Sequence, residues 1–393
     1  MSLRPNLLRE LKPNEHARVG FIELFFDLVF AFAITQLSHS LLEHYSLRGA
    51  LETLILFMAV WWVWIDTSWV TNWLDPQRRP VRLMLFVLMF AGLALSTSIP
   101  EAFGDRGMYF AIAYVFMQVG RSLFMLWALK DRSPANFRNF QRISIWFTLF
   151  SLFWIAGGLA EGDLRLGLWA VAVIIENVAP SVGFWTPRLG RSTTADWVVE
   201  GSHMAERCGL FIIIALGESI LVTGAIFAAP EWTWMSKLAF FVASVGSVAM
   251  WWIYFDSGAE RGSDRIAHST DPGRLARLAY TYLHLPIVAG IIVTAVGDEF
   301  SLTHPADRAD AGTAAAILGG PALYLAGTTL FRRAITGRWP LSHIAGIVLL
   351  GLLLVIAPQA SLLTLAALAT VVLILVAVSE TLGTRLLAVG ARQ

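Results

Sequence analysis

Residues 20–40 read GFIELFFDLVFAFAITQLSHS, and this stretch decides the fold. Glu23 and Asp27 are its acidic residues, and no Lys or Arg interrupts it. A run of roughly 20 mostly apolar residues is long enough to cross the hydrocarbon core of a bilayer as a helix. Residues 1–19 are charged, and the run has no small-residue cleavage site, so we expect a transmembrane helix that is kept rather than a signal peptide.

The composition of the 393-residue chain agrees with a membrane protein, because 56% of the residues are hydrophobic and 15% are charged. The formal net charge of +1 gives no global field suited to nucleic acid or to an acidic substrate. Cys208 is the single cysteine. An intramolecular disulfide, a thiolate metal cluster and a CxxC redox pair are therefore excluded.

Eleven further apolar runs have lengths of roughly 18 to 25 residues, as transmembrane helices require. The predicted spans are 20–40, 50–73, 81–99, 107–129, 141–160, 164–184, 207–229, 236–256, 274–296, 311–333, 340–358 and 361–385. The last two touch, and only Pro358 to Ser361 can form the turn between them. The predicted fold is an all-α integral membrane protein of about 12 transmembrane helices.

The basic residues predict the orientation. Of the 29 Lys and Arg residues, 23 lie in the two terminal segments, in alternate loops or at the span ends that adjoin them. Five lie in the intervening loops or at the span ends beside those, and Arg121 lies well inside a span. Cytoplasmic loops carry the excess of Lys and Arg in multi-pass proteins. We therefore expect a multi-pass protein of the bacterial cytoplasmic (inner) membrane with both termini in the cytoplasm.

An internal repeat is indicated by two similar octapeptides. Residues 59–66 read AVWWVWID, and residues 249–256, 190 positions later, read AMWWIYFD. Weaker echoes pair Gly120 with Gly327 and Glu176 with Glu380. Six helices per copy predict a parallel repeat about an axis near the membrane normal. The predicted organisation is an N-terminal cytoplasmic segment at 1–19, a first six-helix repeat at 20–187, a cytoplasmic linker at 188–206, a second repeat at 207–385 and a tail at 386–393.

Ionisable residues inside spans are the candidates for function, because a charge in hydrocarbon costs several kcal/mol unless it is paired, hydrated or neutralised. Glu23 and Asp27 lie one helical turn apart, so their like charges need a basic partner, water, a cation or a shared proton. Arg121 is the expected partner. The candidate transport or ion-binding residues are Glu23, Asp27, Asp66, Arg121, Glu206, Arg207, Glu218 and Asp256. A structural role, in which the acids pair with Arg and hold helices together, remains an equal alternative.

Motifs of soluble active sites are missing from the sequence. It contains no HExxH, GxSxG or P-loop motif, so ATP-driven pumping by this chain alone is not expected, and no cofactor or metal site is predicted. A membrane enzyme whose site assembles from several helices stays open as a second class of function.

Three segments resemble the bacterial low temperature requirement A (LtrA) family. The run FIELFFDLVFAFA at 21–33 is similar to the opening signature of that family. HMAER at 203–207, followed by LGESI at 216–220, resembles the segment at the start of its second half. The resemblance implies a polytopic bacterial membrane protein linked to growth at low temperature.

A looser resemblance is to the endolysosomal potassium and proton channel family. FDLVFAFAIT at 26–35 is similar to the first helix of that family, which is also built from paired six-helix repeats. The serine of its Phe-Ser-x-x-x-Asp motif does not match, and the second half here offers LGES at 216–219 where that family repeats its motif.

From these observations we expect a membrane transport protein that moves a cation, a proton or a small polar solute. In it, Asp27 would face the protein interior, close to Arg121 or Glu218. The alternatives are a passive cation channel and, in another class, a lipid-modifying enzyme or lipid-binding protein. The partners expected are the lipid bilayer and a small ion or solute, with a homodimer as one allowed assembly.

Overall fold

The computed structural model describes residues 6–10, 17–193, 199–227, 233–256 and 271–390. Apart from isolated bridges between loop residues, the regular secondary structure of these residues is helical. The helices are α1 Phe21–Glu43, α2 Leu47–Trp73, α3 Arg79–Ser98, α4 Gly107–Leu129, α5 Pro134–Leu159, α6 Gly162–Val178, α7 Gly201–Phe227, α8 Trp234–Phe255, α9 Pro272–Ala276, α10 His284–Thr303, α11 Ala311–Thr336, α12 Leu341–Leu353 and α13 Leu362–Gly390. Parts of the predicted cytoplasmic segments lie outside the described residues. They are 1–5 and 11–16 of the N-terminal segment, 194–198 of the linker, 257–270 of the loop between the spans 236–256 and 274–296, and 391–393 of the tail.

Capping residues mark the ends of α2 and α11. Ser46 precedes α2 and accepts a hydrogen bond from the backbone N–H of Gly49 at 3.1 Å. Asp310 precedes α11, where its carboxylate accepts from the backbone N–H of Thr313 at 2.7 Å. The hydrogen bonds from Thr313 hold the pKa of Asp310 below its usual value. Gly337 ends α11 with φ of 74°, the left-handed conformation that glycine adopts without strain.

Ten helical segments are long and apolar enough to cross a membrane within the described part of the chain. They comprise α1 to α5, α7, α8, the segment Gly273–Thr303 that includes α10, and α11 and α13. The predicted spans 164–184 and 340–358 coincide with α6 and α12, which have 17 and 13 residues. The multi-pass helical fold is therefore present, while the total of twelve spans and the repeat remain predictions.

The chain divides into two compact units, and the boundary falls within α7. The first unit contains Met1–Arg207 with Ile266–Ala276, and the second contains Cys208–Arg265 with Arg277–Gln393. α2 forms the centre of the first unit, where Trp61 and Trp64 are fully buried. A helix that is apolar on all sides buries best at the middle of a bundle.

Loops predicted on opposite sides of the membrane gather at opposite ends of the first unit. At one end, Arg48 in the first turn of α2 pairs with Asp163 at the start of α6 at 2.7 Å, and Arg165 donates to the carbonyl of Ala102 at 2.9 Å. At the other end, the N-terminal residues 6–10 pair with the loop after α2 through an antiparallel bridge of Leu8 with Leu74. Loops predicted on the same side of the membrane thus contact one another, as expected if consecutive helices of the first unit run in opposite directions.

The second unit is built around α10 and α11, which pack with their backbones in contact. A Cβ added at Gly290 of α10 would lie 2.7 Å from Cα of Tyr324 in α11. Small residues at such positions allow close approach of membrane helices. Near the C-terminal end of α11, Arg332 pairs with Glu380 of α13 and donates to the carbonyl of Ile253 at 2.7 Å.

Candidate functional site

The first turns of α1 place Glu23 and Asp27 in the interior of the first unit. Both side chains are fully buried, while Phe25 and Leu28 on the other face are exposed by 48% and 59%. Spacing of four residues stacks side chains on one helix face. The prediction that Asp27 faces the protein interior is confirmed.

Arg207 of α7 is the basic partner of Asp27. Its Nη1 lies 2.6 Å from Oδ2 of Asp27, and the Nε1 of Trp64 donates to Oδ1 at 2.9 Å. Arg207 also donates to the Ser68 hydroxyl at 3.1 Å and to the backbone carbonyl of Glu23 at 3.2 Å. The guanidinium lies 5.5 Å from the centre of the Trp64 ring, a cation–π distance. The Asp27 carboxylate is thus fixed by one charged and one neutral donor.

Glu23 contacts His203, which is also fully buried. Nε2 of His203 lies 2.9 Å from Oε1 of Glu23. Oε2 of Glu23 accepts from the backbone N–H of Gly20 at 2.9 Å, and Nη2 of Arg9 lies 3.9 Å from it. The carboxylate therefore joins the N-terminal segment, α1 and α7.

The tautomer of His203 follows from Asn72 at the end of α2. Oδ1 of Asn72 accepts from the backbone N–H of Glu200 at 3.0 Å, which fixes the orientation of the amide. Nδ2 of Asn72 then lies 3.3 Å from Nδ1 of His203 and acts as the donor. In neutral His203 the proton consequently sits on Nε2, where it is donated to Glu23.

Glu23, Asp27, His203 and Arg207 form what we call the α1–α7 cluster. Two acids one turn apart on α1 meet a histidine and an arginine one turn apart on α7, so the pairs match in spacing. Burial of these groups is tolerable only because each has a hydrogen-bonding partner of complementary charge or polarity. The arrangement can hold a proton between Glu23 and His203, and it presents two carboxylates to a cation.

Arg121 belongs to a different group, and the prediction that it compensates Glu23 and Asp27 is wrong. On α4 it points to α2, where its Nη2 lies 3.2 Å from Oδ2 of Asp66. Nη1 donates to the Thr67 hydroxyl at 3.0 Å. The reason is geometric, since α2 presents Asp66 on the side that α4 covers.

A hydrogen-bond chain extends this second group, which we call the α2–α4 cluster. Nε2 of Gln118 donates to Asp66 and to the Tyr114 hydroxyl, each at 3.2 Å, and its Oε1 accepts from Arg121. The Tyr114 hydroxyl donates to Oε2 of Glu176 on α6 at 2.8 Å. The chain links α2, α4 and α6 inside the first unit.

The other predicted site residues belong to neither cluster. Glu206 sits on the exposed side of α7, where its carboxylate accepts from the backbone N–H of Val19 at 3.0 Å. Glu218 is buried in the part of α7 that belongs to the second unit. Asp256 is exposed at the end of α8 and accepts from the Thr381 hydroxyl at 2.9 Å. Asp66 and Asp256, which the predicted repeat pairs, thus have different surroundings.

A metal centre is not formed by protein side chains in the described ranges, where no three His, Cys, Asp or Glu residues come together. The clusters instead contain alternating acids, bases and neutral hydrogen-bonding groups. Such arrangements suit proton exchange or alkali cations better than transition metals.

Comparison with known proteins places the chain in a family. The profile of the family described as "Bacterial low temperature requirement A protein (LtrA)" matches residues 18–379. The chain belongs to the LtrA family. A relative from Rhizobium meliloti (strain 1021), named "Uncharacterized protein RA0937", is 45% identical over 367 residues, which cover 93% of this chain and 90% of the relative. No solved structure matches.

His203 of this LtrA-family protein was not among the candidate site residues predicted from the sequence. The segment HMAER at 203–207 carried the signal, because it places His203 and Arg207 on one face with the spacing of Glu23 and Asp27. The matched family range contains all four residues of the α1–α7 cluster. Asp298 of α10, another acid inside a candidate span, was also absent from the list.

Proposed function

We propose that this LtrA-family protein is a membrane transport protein that moves a cation, a proton or a small polar solute across the cytoplasmic membrane. The observation that carries the proposal is the α1–α7 cluster, four ionisable side chains buried inside two candidate spans. Ionisable side chains at membrane depth cost free energy. Where they occur, they are paired with one another or line a transport pathway. A purely structural link between α1 and α7 would need only one ion pair.

In this mechanism the two pairs have different roles. Asp27 and Arg207 stay an ion pair that fixes α1 against α7, because Trp64 and Ser68 hold both partners. Glu23 and His203 share one hydrogen bond and exchange a proton, which couples movement of the solute to protons. Imidazole is suited to this role because either ring nitrogen can bind or release a proton.

Further residues act at a distance from the exchange pair. Asp66 and Arg121 hold or gate α2 against α4, and Asp256 holds the end of α8 through Thr381. Glu206 anchors the N-terminal segment at the entrance, and Glu218 provides a second acid for a cation in the other half of the protein.

The proposed architecture has twelve transmembrane helices in two parallel repeats, at 20–187 and 207–385, with both termini in the cytoplasm. Segments 1–19, 188–206 and 386–393 form the cytoplasmic N-terminal segment, linker and tail. Support comes from the related octapeptides, from the distribution of basic residues and from the grouping of alternate loops at the two ends of the first unit. A homodimer in the membrane is included in the proposal.

Flux through reconstituted vesicles tests the function. The purified protein is placed in liposomes that contain a pH-sensitive dye, and proton entry is followed under an imposed pH gradient with Na⁺, K⁺ or choline as the main cation. We expect flux above that of protein-free vesicles. Glu23→Gln should abolish its pH dependence, because it removes the titratable carboxyl of the exchanging pair while preserving volume. Asp27→Asn should lower the flux, because it breaks the ion pair that fixes α1 against α7.

Glu161→Gln is the matched control, since it removes an exposed carboxyl that precedes α6 and belongs to neither cluster. Its flux should match that of the unchanged protein. Equal flux in vesicles with and without protein, for protons and for both cations, contradicts the proposal. Flux that Asp27→Asn and Glu23→Gln leave unchanged removes the α1–α7 cluster from the pathway and directs attention to Glu218.

A passive cation channel is the alternative within transport, and it predicts current that follows the cation gradient without proton movement. A lipid-binding function is favoured by one separate observation. A groove of about 670 Å³ between α3 and α4 is lined by Ala91, Ala94 and Phe116, with Arg106 beside it. An acyl chain would fill the groove and place a phosphate at Arg106. Lipid that co-purifies with the protein and is lost in Ala94→Trp, together with absence of flux, would support this alternative.

A further inference from the structure

The crossing of α10 and α11 in the second unit brings backbone and hydroxyl oxygens close together. A Cβ added at Gly297 of α10 would lie 3.0 Å from Cα of Ile317 in α11, and one at Gly320 would lie 2.6 Å from the amide nitrogen of Thr294. No side chain separates the helices at these points. Polar atoms of either backbone can therefore face a shared space.

Pro321 leaves one backbone carbonyl of α11 without its usual donor. It lies inside the helix and has no N–H, so the carbonyl of Ile317, four residues earlier, has no helical hydrogen bond from that position. Ile317 lines a cavity of about 20 Å³. A volume of roughly 10–15 Å³ holds one water-sized sphere, so the cavity fits one water or one small dehydrated ion.

Two threonines that line the cavity, Thr294 and Thr370, donate their hydroxyl protons to backbone carbonyls. Thr294 donates to the carbonyl of Gly290 at 2.7 Å, and Thr370 of α13 donates to the carbonyl of Val242 at 3.4 Å. A hydroxyl has one proton and two lone pairs. Both oxygens therefore remain available as acceptors or as cation ligands.

Asp298 lines the same cavity. It belongs to the candidate span Gly273–Thr303, and no ion pair of the described residues includes it. A carboxylate at membrane depth without a basic partner needs a cation or a proton. The walls of the cavity supply oxygen ligands of the kind that hard cations prefer.

We propose that this cavity is a binding site for a single Na⁺ ion, coordinated by the Asp298 carboxylate, the Ile317 carbonyl and the hydroxyls of Thr294 and Thr370. One carboxylate balances one positive charge, whereas divalent cations are held by more carboxylates and more ligands. The small volume admits Na⁺ after loss of its water shell and is too small for a hydrated ion or an organic solute. The site lies wholly in the second unit and does not depend on the function proposed for the α1–α7 cluster.

Thermal unfolding of the purified full-length protein tests the site without any transport assay. The midpoint is measured in NaCl, KCl and choline chloride at constant ionic strength and over a range of pH, and ²²Na⁺ binding is counted on the same samples. A ligand that binds only the folded state raises the midpoint with its concentration. We expect a saturable stabilisation by NaCl, one bound ion per chain, and loss of both in Asp298→Asn.

Two milder variants keep the test decisive if Asp298→Asn fails to fold. Thr370→Val removes one ligand, and Gly246→Ala adds a methyl 3.2 Å from the Thr370 hydroxyl. Each should weaken the apparent Na⁺ affinity about tenfold or more. Thr329→Val is the control, because Thr329 is a buried threonine of α11 that bonds to the Leu325 carbonyl and does not line the cavity.

Three results would overturn the site. The first is an unfolding midpoint that is equal in NaCl and choline chloride at every pH, which would mean that a proton neutralises Asp298. The second is stabilisation by K⁺ but not by Na⁺. The third is Na⁺ binding that persists unchanged in Asp298→Asn, Thr370→Val and Gly246→Ala.

Discussion

Replacing Arg207 with methionine should lower the free energy of unfolding by about 3–5 kcal/mol, the range seen when one partner of a buried ion pair is removed. Arg207→Met preserves much of the side-chain volume but leaves the Asp27 carboxylate with Trp64 Nε1 as its remaining donor. Both members of the pair are fully buried, so water cannot take the place of the guanidinium. The Ser68 hydroxyl and the Glu23 carbonyl also lose a donor.

The double variant Asp27→Asn/Arg207→Met isolates the charge effect. Once Asp27 is neutral, the loss of Arg207 no longer strands a carboxylate, so the double variant should be more stable than Arg207→Met by at least about 1 kcal/mol. The measurement is equilibrium unfolding in mixed micelles, followed by tryptophan fluorescence. The four proteins of the cycle are compared under identical conditions.

Arg48→Met is the control for removing an arginine from an ion pair. Arg48 pairs with Asp163 at 2.7 Å, but its side chain is 53% exposed, and exposed pairs contribute about 0–1 kcal/mol. If Arg207→Met is no more destabilising than Arg48→Met, the Asp27 carboxylate is not held by Arg207 in the way described. The same conclusion follows if the effects of Asp27→Asn and Arg207→Met simply add.

Three further outcomes are expected. Tags at residues 1 and 393 should be protected from external reagents in intact cells, because the adjoining segments are rich in arginine, and labelling from outside would contradict the orientation. Gly290→Ala should destabilise the protein by about 1–3 kcal/mol, because its methyl would meet the backbone of Tyr324, and an unchanged unfolding curve would argue against the close α10–α11 contact. Asp310→Ala should lower the free energy of unfolding by about 1 kcal/mol at neutral pH, because it removes the side chain that caps α11. Since the pKa of Asp310 is lowered in the folded state, its contribution is present above the unfolded pKa and is lost as the pH falls through the folded value, so the two proteins should converge in stability in acid.

Hydropathy and spacing were sufficient for α1 and for the direction of its acidic face. The four-residue spacing of Glu23 and Asp27 places both on one face of α1, and the structure shows that both are buried. The orientation of the helices that the basic residues indicate stays a prediction. Local patterns of this kind depend on nearby residues alone.

The basic partner of Asp27 could not be predicted in this way, because it comes from a distant part of the chain. Arg121 was chosen because it lay inside a predicted span, whereas Arg207 stood at the predicted edge of one. α7 in fact begins at Gly201, so Arg207 lies in its second turn. The polar residues at 202–207 lower the local hydropathy, which moved the predicted start of the helix past the residues that matter.

Asp298 was missed for the same physical reason. The predicted span ended at 296, because Asp298 and Glu299 reduce the apolar character of the run, while α10 continues to Thr303. Averaging over a window removes charged residues from the ends of spans. Buried acids at helix ends therefore need a structure, or a search for charged positions whose helix face is otherwise apolar.

Arg9 gives the N-terminal segment a part in the charge balance of the bilayer interior. Glu23 and Asp27 carry two negative charges, Arg207 carries one positive charge, and the guanidinium of Arg9, 3.9 Å from Glu23, carries the other. With His203 neutral, the cluster is electroneutral only when Arg9 is included. A shortened chain that starts after residue 10 would thus keep every membrane helix and still change the electrostatic potential that a passing cation meets.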